Sequence, residues 1–177
     1  MMAENYCYIK ENVLIKGMVR QGLFDDIYFA DGEYVHDKNL HHDSNGMPTW
    51  IYYWQVGRNG VTFRTHSLGP ILEWFDERIS TVSCLGTGVH TDPEHIMEDT
   101  VLMLCKTESG ALIKIRLDML SNRPPNVAYY SLQETKGCYE APRGLGDDHK
   151  VWLASDSMDY AWKPLKGYEG RICRSNG

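Results

Sequence analysis

Strand-like segments that follow one another without intervening helices constrain the fold of this chain most strongly. They begin at Ile79 and run almost to the end of the 177 residues. A parallel sheet of βαβ units would need helical segments between its strands, and the sequence offers none there. The predicted strands span residues 79–85, 99–106, 111–120, 127–134, 137–141, 150–154 and 160–164. We therefore predict an α+β domain with a large, mostly antiparallel sheet of about seven strands and helices on one face.

Two predicted helices and one further strand precede this run. Apolar residues across 13–23 recur at helical spacing, and Gly22 is expected to end that helix. Residues 26–36 alternate in the manner of a strand that carries polar residues at its end. A second helix is predicted from residue 66 to about residue 78.

The segments between these elements are predicted from their capping, proline and polar residues. Thr65 is expected to be the N-cap of the second helix, and Pro70 to lie in its first turn, where a missing N–H costs little. Residues 37–65 are predicted to form one long polar loop, and loops of that length in a compact domain are usually functional or disordered. The tail from Gly167 is expected to be loose.

Charge and length narrow the classes of function. A chain of 177 residues is predicted to form a single domain. The net charge is −6 and the sequence pI is about 5.6, without the basic stripe that nucleic-acid binding requires. No apolar run approaches the roughly 18 residues of a membrane span, and the first residues have no signal-peptide pattern. No nucleic acid or membrane partner is therefore expected.

The cysteines give a hint about the compartment. There are five, an odd number, and none forms a C-x-x-C pair, so neither a disulfide framework nor a zinc ribbon is predicted. Cys84 and Cys105 lie in apolar strand patterns and are expected to be small core residues. Free thiols favour a reducing compartment such as the cytoplasm. A periplasmic location stays open, because an export signal could precede this chain.

A polar strand end and a helix start form the main candidate site. Tyr34 and His36 should project to the same face of the 26–36 strand, because alternate residues do. His66 lies where the second helix begins, after the turn signal Asn59-Gly60. A phenol and two imidazoles so placed could exchange protons with a sugar hydroxyl. The alternative, which spacing alone favours, is that Tyr34 and His36 cap the strand and bond to loop backbone.

Three other groups of residues carry side chains that are common in metal sites, nucleophile pairs or sugar-binding sites. His36, Asp37, His41, His42 and Asp43 have the side chains of a metal site, but two adjacent histidines match no usual ligand spacing. A solvated polar loop is the better interpretation, and no metal site is predicted.

Cys138 with His149 could form a nucleophile pair, although no oxyanion feature accompanies them and a core thiol is favoured. Trp50, Tyr52, Tyr53 and Trp54 could stack on sugar rings or anchor their loop.

Several segments resemble one protein family. Glu4-Asn5 with Tyr8, the segment 12–24 and the segment 32–37 resemble the second domain of the glucose-fructose oxidoreductase/inositol dehydrogenase (Gfo/Idh/MocA) family. Arg58-Asn59-Gly60 followed by residues 65–70 is similar to the branch that contains the NAD-dependent alpha-N-acetylgalactosaminidases. The resemblance runs from about residue 4 to at least residue 153.

The resemblance implies a particular domain organisation. Family members carry an N-terminal Rossmann domain that binds NAD or NADP and supplies a catalytic lysine. This sequence has no G-x-G-x-x-G motif, so residues 1–177 are expected to be a single C-terminal domain that binds substrate and mediates oligomerisation. No cofactor is expected to bind this chain alone. The implied partners are a sugar or glycoside, the Rossmann domain and further copies of the chain, joined through the sheet.

The resemblance also assigns roles to residues. Tyr34, His36 and His66 match the catalytic pattern, and Tyr34 and His66 would also lie beside the nicotinamide. The residues expected to bind substrate are Tyr53, Trp54, Arg58, Asn59 and Phe63.

The sequence departs from the glycosidase branch at a few positions. Phe63 stands where the branch usually has tyrosine, Arg64 where it has proline, and Lys38-Asn39 where it has Leu-Arg. A phenyl ring cannot replace the proton of a phenol. The leading interpretation is therefore the domain of an NAD(P)-dependent sugar oxidoreductase. The same domain of an NAD-dependent glycosidase is the first alternative, and a non-catalytic sugar-binding or assembly module is the second.

Overall fold

A computed structural model describes residues 4–37, 41–55, 59–93, 97–124, 126–156 and 159–172 of the chain. A short 3-10 helix at Asn5–Tyr8 comes first, and another at Leu165–Tyr168 comes near the end. The α-helices are α1 Lys10–Arg20, α2 Trp50–Gln55, α3 Thr65–Phe75 and α4 Glu169–Ile172. The strands are β1 Ile27–Asp37, β2 Ile79–Gly86, β3 Thr100–Thr107, β4 Leu112–Ser121, β5 Asn126–Glu134, β6 Gly137–Glu140, β7 Lys150–Leu153 and β8 Lys163–Pro164.

One sheet of eight strands organises the domain, in the order β2-β3-β4-β1-β5-β6-β7-β8. β1 runs parallel to β4, and the other neighbouring strands pair antiparallel. The predicted α+β class with a mostly antiparallel sheet is confirmed. β1 comes early in the sequence but lies at the centre of the sheet, so the polar residues at its end are held from both sides.

Helices α1 and α3 pack on one face of the sheet. A Cβ atom built at Gly32 of β1 would lie 2.7 Å from the Ser67 carbonyl oxygen and 2.9 Å from Ile71 Cδ1, so glycine lets α3 approach the strand closely. Trp74 Nε1 donates to the Asn12 carbonyl oxygen over 3.0 Å and ties the two helices together. The contact between α3 and β1 fixes where the start of α3 lies.

The predicted boundaries of α3 need correction. Arg64, in a helical conformation, occupies the N-cap position, and Thr65 is already inside the helix. Asp76 adopts a left-handed conformation (φ 52°) and ends the helix before the predicted residue 78. Pro70 is inside the helix and not in its first turn. The Pro70 nitrogen cannot bond to the His66 carbonyl oxygen, and the Tyr130 hydroxyl donates to that oxygen instead.

Other predictions about loops and strands were wrong in part. The predicted long loop contains α2 and a β-bridge between His42 and Pro48. Residues 167–172 of the tail that was predicted to be loose form helical turns, and Leu165 and Tyr168 beside them are buried in the core. Residues 173–177 of that tail lie outside the described residues. β8 is shorter than predicted, at two residues.

The two cysteines predicted to lie in the core differ in exposure. Cys105 is fully buried, as predicted, but Cys84 is exposed because β2 is an edge strand that is open on both faces. Among the described residues, no helix is long and apolar enough to cross a membrane.

Candidate active site

The carboxyl end of β1 and the start of α3 meet in a cluster of aromatic and imidazole rings. The ring centroid of Tyr34 lies 4.8 Å from that of His36, 5.0 Å from that of His66 and 5.5 Å from that of Phe63. Tyr34 is buried, and the other three side chains are partly exposed. The structure thus brings together Tyr34, His36, His66 and Phe63, which are 32 positions apart at most.

Tyr34 and His36 bond to each other. The Tyr34 hydroxyl lies 2.9 Å from His36 Nε2, within hydrogen-bond distance. Burial raises the pKa of Tyr34 and lowers the pKa of His36. Both groups are therefore neutral near pH 7, and each has both a hydrogen to donate and a lone pair to accept with.

Glu4 orients His66 and was not predicted as a site residue. His66 Nδ1 lies 2.6 Å from Glu4 Oε1. Burial alone would raise the pKa of Glu4, but hydrogen bonds from the Tyr6 backbone N–H, His66 and Thr65 outweigh it and hold that pKa below its usual value. Because Glu4 is then a carboxylate, it accepts the Nδ1 hydrogen of His66, so Nε2 is the ring nitrogen that can accept from a ligand.

The first 3-10 helix brings Glu4 to this place. Glu4 is its N-cap residue and accepts from the Tyr6 backbone N–H over 3.0 Å, while Asn12 Nδ2 donates to the Tyr6 carbonyl oxygen over 2.8 Å. A Cβ atom at Gly69 would lie 2.9 Å from Glu4 Cγ, so glycine in α3 leaves room for the glutamate. No spacing rule links residue 4 to residue 66, and sequence reasoning missed the pair for that reason.

Tyr6 is a second site residue that the sequence did not reveal. Its ring centroid lies 4.5 Å from that of His66 and 6.1 Å from that of Tyr34. The ring is partly buried and packs against the small apolar cluster of Tyr34, Met97, Leu117, Met119 and Leu120. A second phenol thus stands beside the two rings that the sequence had singled out.

The remaining residues predicted to bind substrate are less closely placed. Asn59 is exposed, and Glu98 Oε2 accepts from the adjacent Gly60 N–H over 3.3 Å. Tyr53 is 70% exposed, and its ring contacts that of Tyr52. The Trp54 side chain and Arg58 lie outside the described residues.

The predicted polar loop contains a buried histidine. His41 is 1% exposed, and its Nε2 lies 2.9 Å from the Met119 carbonyl oxygen, so the expectation that this residue is solvated was wrong. Among the residues that the structure describes, no group of three or more His, Cys, Asp or Glu side chains could hold a metal ion.

Cys138 shows the features of a structural thiol. It is partly buried, and burial raises its pKa, so the thiol keeps its proton near pH 7. His149 Nδ1 lies 2.8 Å from the Tyr139 hydroxyl, within hydrogen-bond distance, and the two rings are parallel to within 6°. These contacts favour the core-thiol interpretation over a nucleophile pair.

The ring cluster offers flat faces and polar edges to a ligand. Its faces are aromatic and imidazole rings, and the Glu4 carboxylate lies beside them. A nicotinamide ring fits such faces, whereas a pyrophosphate would be repelled by the carboxylate.

Comparisons with known proteins place the chain among related sequences. No protein-family model matches it. It is 29% identical over 164 residues to an alpha-N-acetylgalactosaminidase of Shewanella oneidensis, a match covering 78% of this chain and 35% of the relative. It is also 29% identical over 175 residues to a glycosyl hydrolase family 109 protein of Shewanella sp. (strain ANA-3), covering 84% of this chain and 37% of the relative. The chain thus spans about a third of the length of these relatives.

Solved structures agree on the fold. Levoglucosan dehydrogenase in complex with NADH and L-sorbose superposes with a TM-score of 0.72 at 20% identity, covering 92% of this chain and 45% of that one. The fold is that of a Gfo/Idh/MocA C-terminal domain. A second similar structure is an inositol dehydrogenase homologue of Azotobacter vinelandii complexed with NADH and myo-inositol. It superposes with a TM-score of 0.63 at 16% identity, and the match covers 92% of this chain and 44% of that one. The resemblance that the sequence suggested, to this family and to the galactosaminidase branch, is confirmed.

Proposed function

We propose that this chain is the C-terminal, substrate-binding and oligomerising domain of an NAD(P)-dependent sugar oxidoreductase. In this proposal residues 1–177 form one domain that meets an N-terminal Rossmann domain in the full-length protein. The observation that carries it is the neutral Tyr34–His36 pair beside a histidine, His66, that a carboxylate orients. The fold supports it as well, since a levoglucosan dehydrogenase and an inositol dehydrogenase homologue have similar domains.

His66 is the proposed general base. Oxidation of a sugar alcohol to a ketone requires that the hydroxyl lose its proton. Glu4 holds the Nδ1 hydrogen, so Nε2 is free to take that proton, and the resulting imidazolium is stabilised by the Glu4 carboxylate 2.6 Å away. Tyr34 and His36 are placed to orient neighbouring hydroxyls, since both are neutral and can donate or accept.

The cofactor and substrate would share this cluster. A nicotinamide cofactor, when bound beside Tyr34 and His66, would supply the hydride acceptor. Phe63 offers an apolar wall 5.5 Å from the Tyr34 ring. Asn59, Tyr53, Trp54 and Arg58 are proposed to contact the sugar from the segment that precedes α3.

A glycosidase is the second candidate. The sequence relatives named as family 109 glycosyl hydrolases favour it. In that chemistry oxidation at a ring carbon is transient: the neighbouring C–H loses its proton as the aglycone leaves, water adds to the double bond that forms, and the sugar is reduced again. The oxidation step would need the same base. Phe63 argues for a changed substrate or reaction, because no phenol stands at that position.

The face of the sheet opposite α1 and α3 is the proposed oligomer interface. On β3, Leu102 and Leu104 are 37% and 38% exposed. The alternate residues Val101, Met103 and Cys105 are buried, and Met103 and Cys105 belong to the core that α1 and α3 cover. Leu112 and Leu85 on the neighbouring strands are also exposed, at 40% and 74%. An apolar patch of this kind favours association with another copy of the chain.

One assay of the full-length protein distinguishes the two candidates. It is incubated with NAD+ and, in turn, levoglucosan, myo-inositol and an aryl alpha-N-acetylgalactosaminide. NADH formed in proportion to sugar consumed supports the oxidoreductase, whereas release of the aglycone without net NADH supports the glycosidase. If neither signal appears although NAD+ binds, the proposal of a sugar-oxidising site is wrong for these substrate classes.

A further inference from the structure

Glu98 links two parts of the chain that are far apart in the sequence. It lies two residues before β3, at the end of the connection that follows β2. Its Oε2 atom accepts a hydrogen bond from the Gly60 backbone N–H over 3.3 Å, across 38 positions of the sequence. Gly60 belongs to the segment 59–63, which leads into α3. A side chain next to the sheet therefore holds the start of this segment.

Glycine at the end of β2 leaves room for the Glu98 carboxylate. Gly86 is the last residue of β2 and pairs with Val101 of β3. A Cβ atom at Gly86 would overlap the Glu98 carboxylate, so a larger residue there would displace it. Because the overlapping atoms are the end of a flexible side chain and not backbone, this displacement should cost little stability. The carboxylate thus lies against the Gly86 backbone while it accepts from Gly60.

The segment that Glu98 holds reaches the ring cluster. Its last residue, Phe63, has its ring centroid 5.5 Å from that of Tyr34 and 5.1 Å from that of His66. Its first residue, Asn59, is proposed to contact the sugar. A bond near the start of the segment therefore influences both ends of the wall that the segment offers to a ligand.

Gly60 is the residue of this segment with the most backbone freedom. Its φ is 85°, a conformation that glycine adopts readily, along with many others. Val61 packs against buried residues of the core, whereas Gly60 has no side chain to pack. The hydrogen bond from Gly60 to Glu98 limits this freedom at the position beside Asn59.

We propose that Glu98 is a positioning residue that determines how tightly the site holds its sugar. It fixes the Gly60 backbone and thereby the placement of Asn59 and Phe63 beside the ring cluster. Glu98 itself contacts no reacting group. The effect on sugar binding rests on the proposed oxidoreductase function, whereas the hold of Glu98 on Gly60 does not.

Amide hydrogen exchange of Gly60, measured by NMR on the 177-residue chain, tests the hold on the segment. Glu98→Ala removes the acceptor and should speed this exchange roughly 10-fold. Glu98→Gln keeps an acceptor oxygen and should change the exchange rate less than about 3-fold. Gly86→Ala should act like Glu98→Ala, because it displaces the carboxylate without altering Glu98.

Asp99→Ala is the matched control for a neighbouring carboxylate. Asp99 Oδ2 accepts from the backbone N–H groups of His90 and Thr91 over 2.8 and 2.9 Å, so it holds a different loop. This variant should speed exchange at those two amides and leave Gly60 unchanged. Equal Gly60 exchange in the wild type, Glu98→Ala and Gly86→Ala would overturn the proposal.

Steady-state kinetics of the full-length protein with NAD+ test the effect on sugar binding. Glu98→Ala and Gly86→Ala should raise the sugar KM roughly 10-fold and leave kcat within about 2-fold, because they loosen binding contacts and spare the base. Glu98→Gln and Asp99→Ala should keep the wild-type KM. Mere destabilisation would reduce the amount of active enzyme without raising KM.

Two outcomes separate this proposal from the proposed function. If the wild type oxidises a sugar and both Glu98→Ala and Gly86→Ala keep the wild-type KM, Glu98 does not determine sugar binding and the proposal is overturned. If the wild type oxidises none of the sugars but Gly60 exchange changes as stated, the oxidoreductase proposal fails and the hold of Glu98 on the segment stands.

Discussion

Tyr130 donates a hydrogen bond from its side-chain hydroxyl to the main-chain carbonyl oxygen of His66. In an unbroken α-helix this oxygen would accept from the nitrogen of residue 70, and proline at that position has no N–H. Burial raises the pKa of Tyr130, so its hydroxyl keeps the hydrogen that it donates. A side chain from β5 therefore supplies the hydrogen bond that α3 lacks at His66, the candidate base.

Removal of the Tyr130 hydroxyl should destabilise the protein strongly only while residue 70 is proline. Tyr130→Phe removes this donor from a partly buried carbonyl oxygen, and we expect a loss of about 1–3 kcal/mol in the free energy of unfolding. In a Pro70→Ala background the restored backbone N–H can take over, so the same substitution should cost less than about 1 kcal/mol. Denaturant unfolding of the wild type, the two single variants and the double variant measures both costs. Equal costs in the two backgrounds would show that the two residues do not share this carbonyl.

Close packing of α3 on β1 predicts the effect of one added methyl group. Gly32→Ala would place its Cβ 2.7 Å from the Ser67 carbonyl oxygen, which forces α3 away from the strand. We expect a loss of about 1–3 kcal/mol in unfolding free energy. The control is Gly144→Ala, since a Cβ there meets nothing within 4 Å, and its effect should lie within about 0.5 kcal/mol. A Gly32→Ala protein as stable as the control would contradict the observed helix position.

A buried carboxyl group makes stability depend on pH. Both carboxylate oxygens of Glu134 are buried and have no hydrogen-bond partner among the described residues. Burial, with a smaller contribution from Asp25, raises the pKa of Glu134 from 4.5 to about 8. Because the folded state holds this proton more tightly than the unfolded state, the contribution is fully present below pH 4.5 and is lost as pH rises to about 8.

Glu134→Gln should remove this pH dependence. Relative to the variant, the wild type is expected to lose about 1.4 kcal/mol of unfolding free energy for each pH unit inside that window. Glu108→Gln, at an exposed turn, serves as the control and should follow the wild-type curve. Chemical unfolding at about pH 5, 6, 7 and 8 measures the difference in unfolding free energy between the wild type and the variant. Parallel curves for wild type and Glu134→Gln would contradict the burial of a protonated carboxyl group.

The proposed oligomer interface can be tested with one charge on either face of the sheet. Leu104→Glu puts a carboxylate on the face opposite the helices, and we expect it to shift the sedimentation coefficient to that of a monomer. Val82→Glu places the same charge on the helix side of the edge strand, where Val82 pairs with Cys105, and should leave the assembly intact. A wild-type chain that is monomeric at high concentration would contradict the interface.

The sequence predicted the elements of the fold better than the details of the site. Strand segments from residue 79 onward were found because apolar and polar residues alternate in them, and the sheet class followed. Tyr34 and His36 could be paired because they are two positions apart on one strand. Glu4 and Tyr6 could not be placed, since their contacts with His66 bridge about 60 positions and arise only when α3 packs on β1. Proline at position 70 leaves the His66 carbonyl oxygen without its usual backbone donor. The donor that replaces it, the Tyr130 hydroxyl, could be identified only from the position of β5.

Single-turnover oxidation by the full-length protein tests the central claim most directly. With NAD+ and an accepted sugar, His66→Gln should slow NADH formation by about 10²-fold or more, as expected when a general base is removed. His90→Gln, which changes an exposed histidine outside the ring cluster, should form NADH at the wild-type rate. Equal single-turnover rates for wild type and His66→Gln would contradict the assignment of His66 as the base.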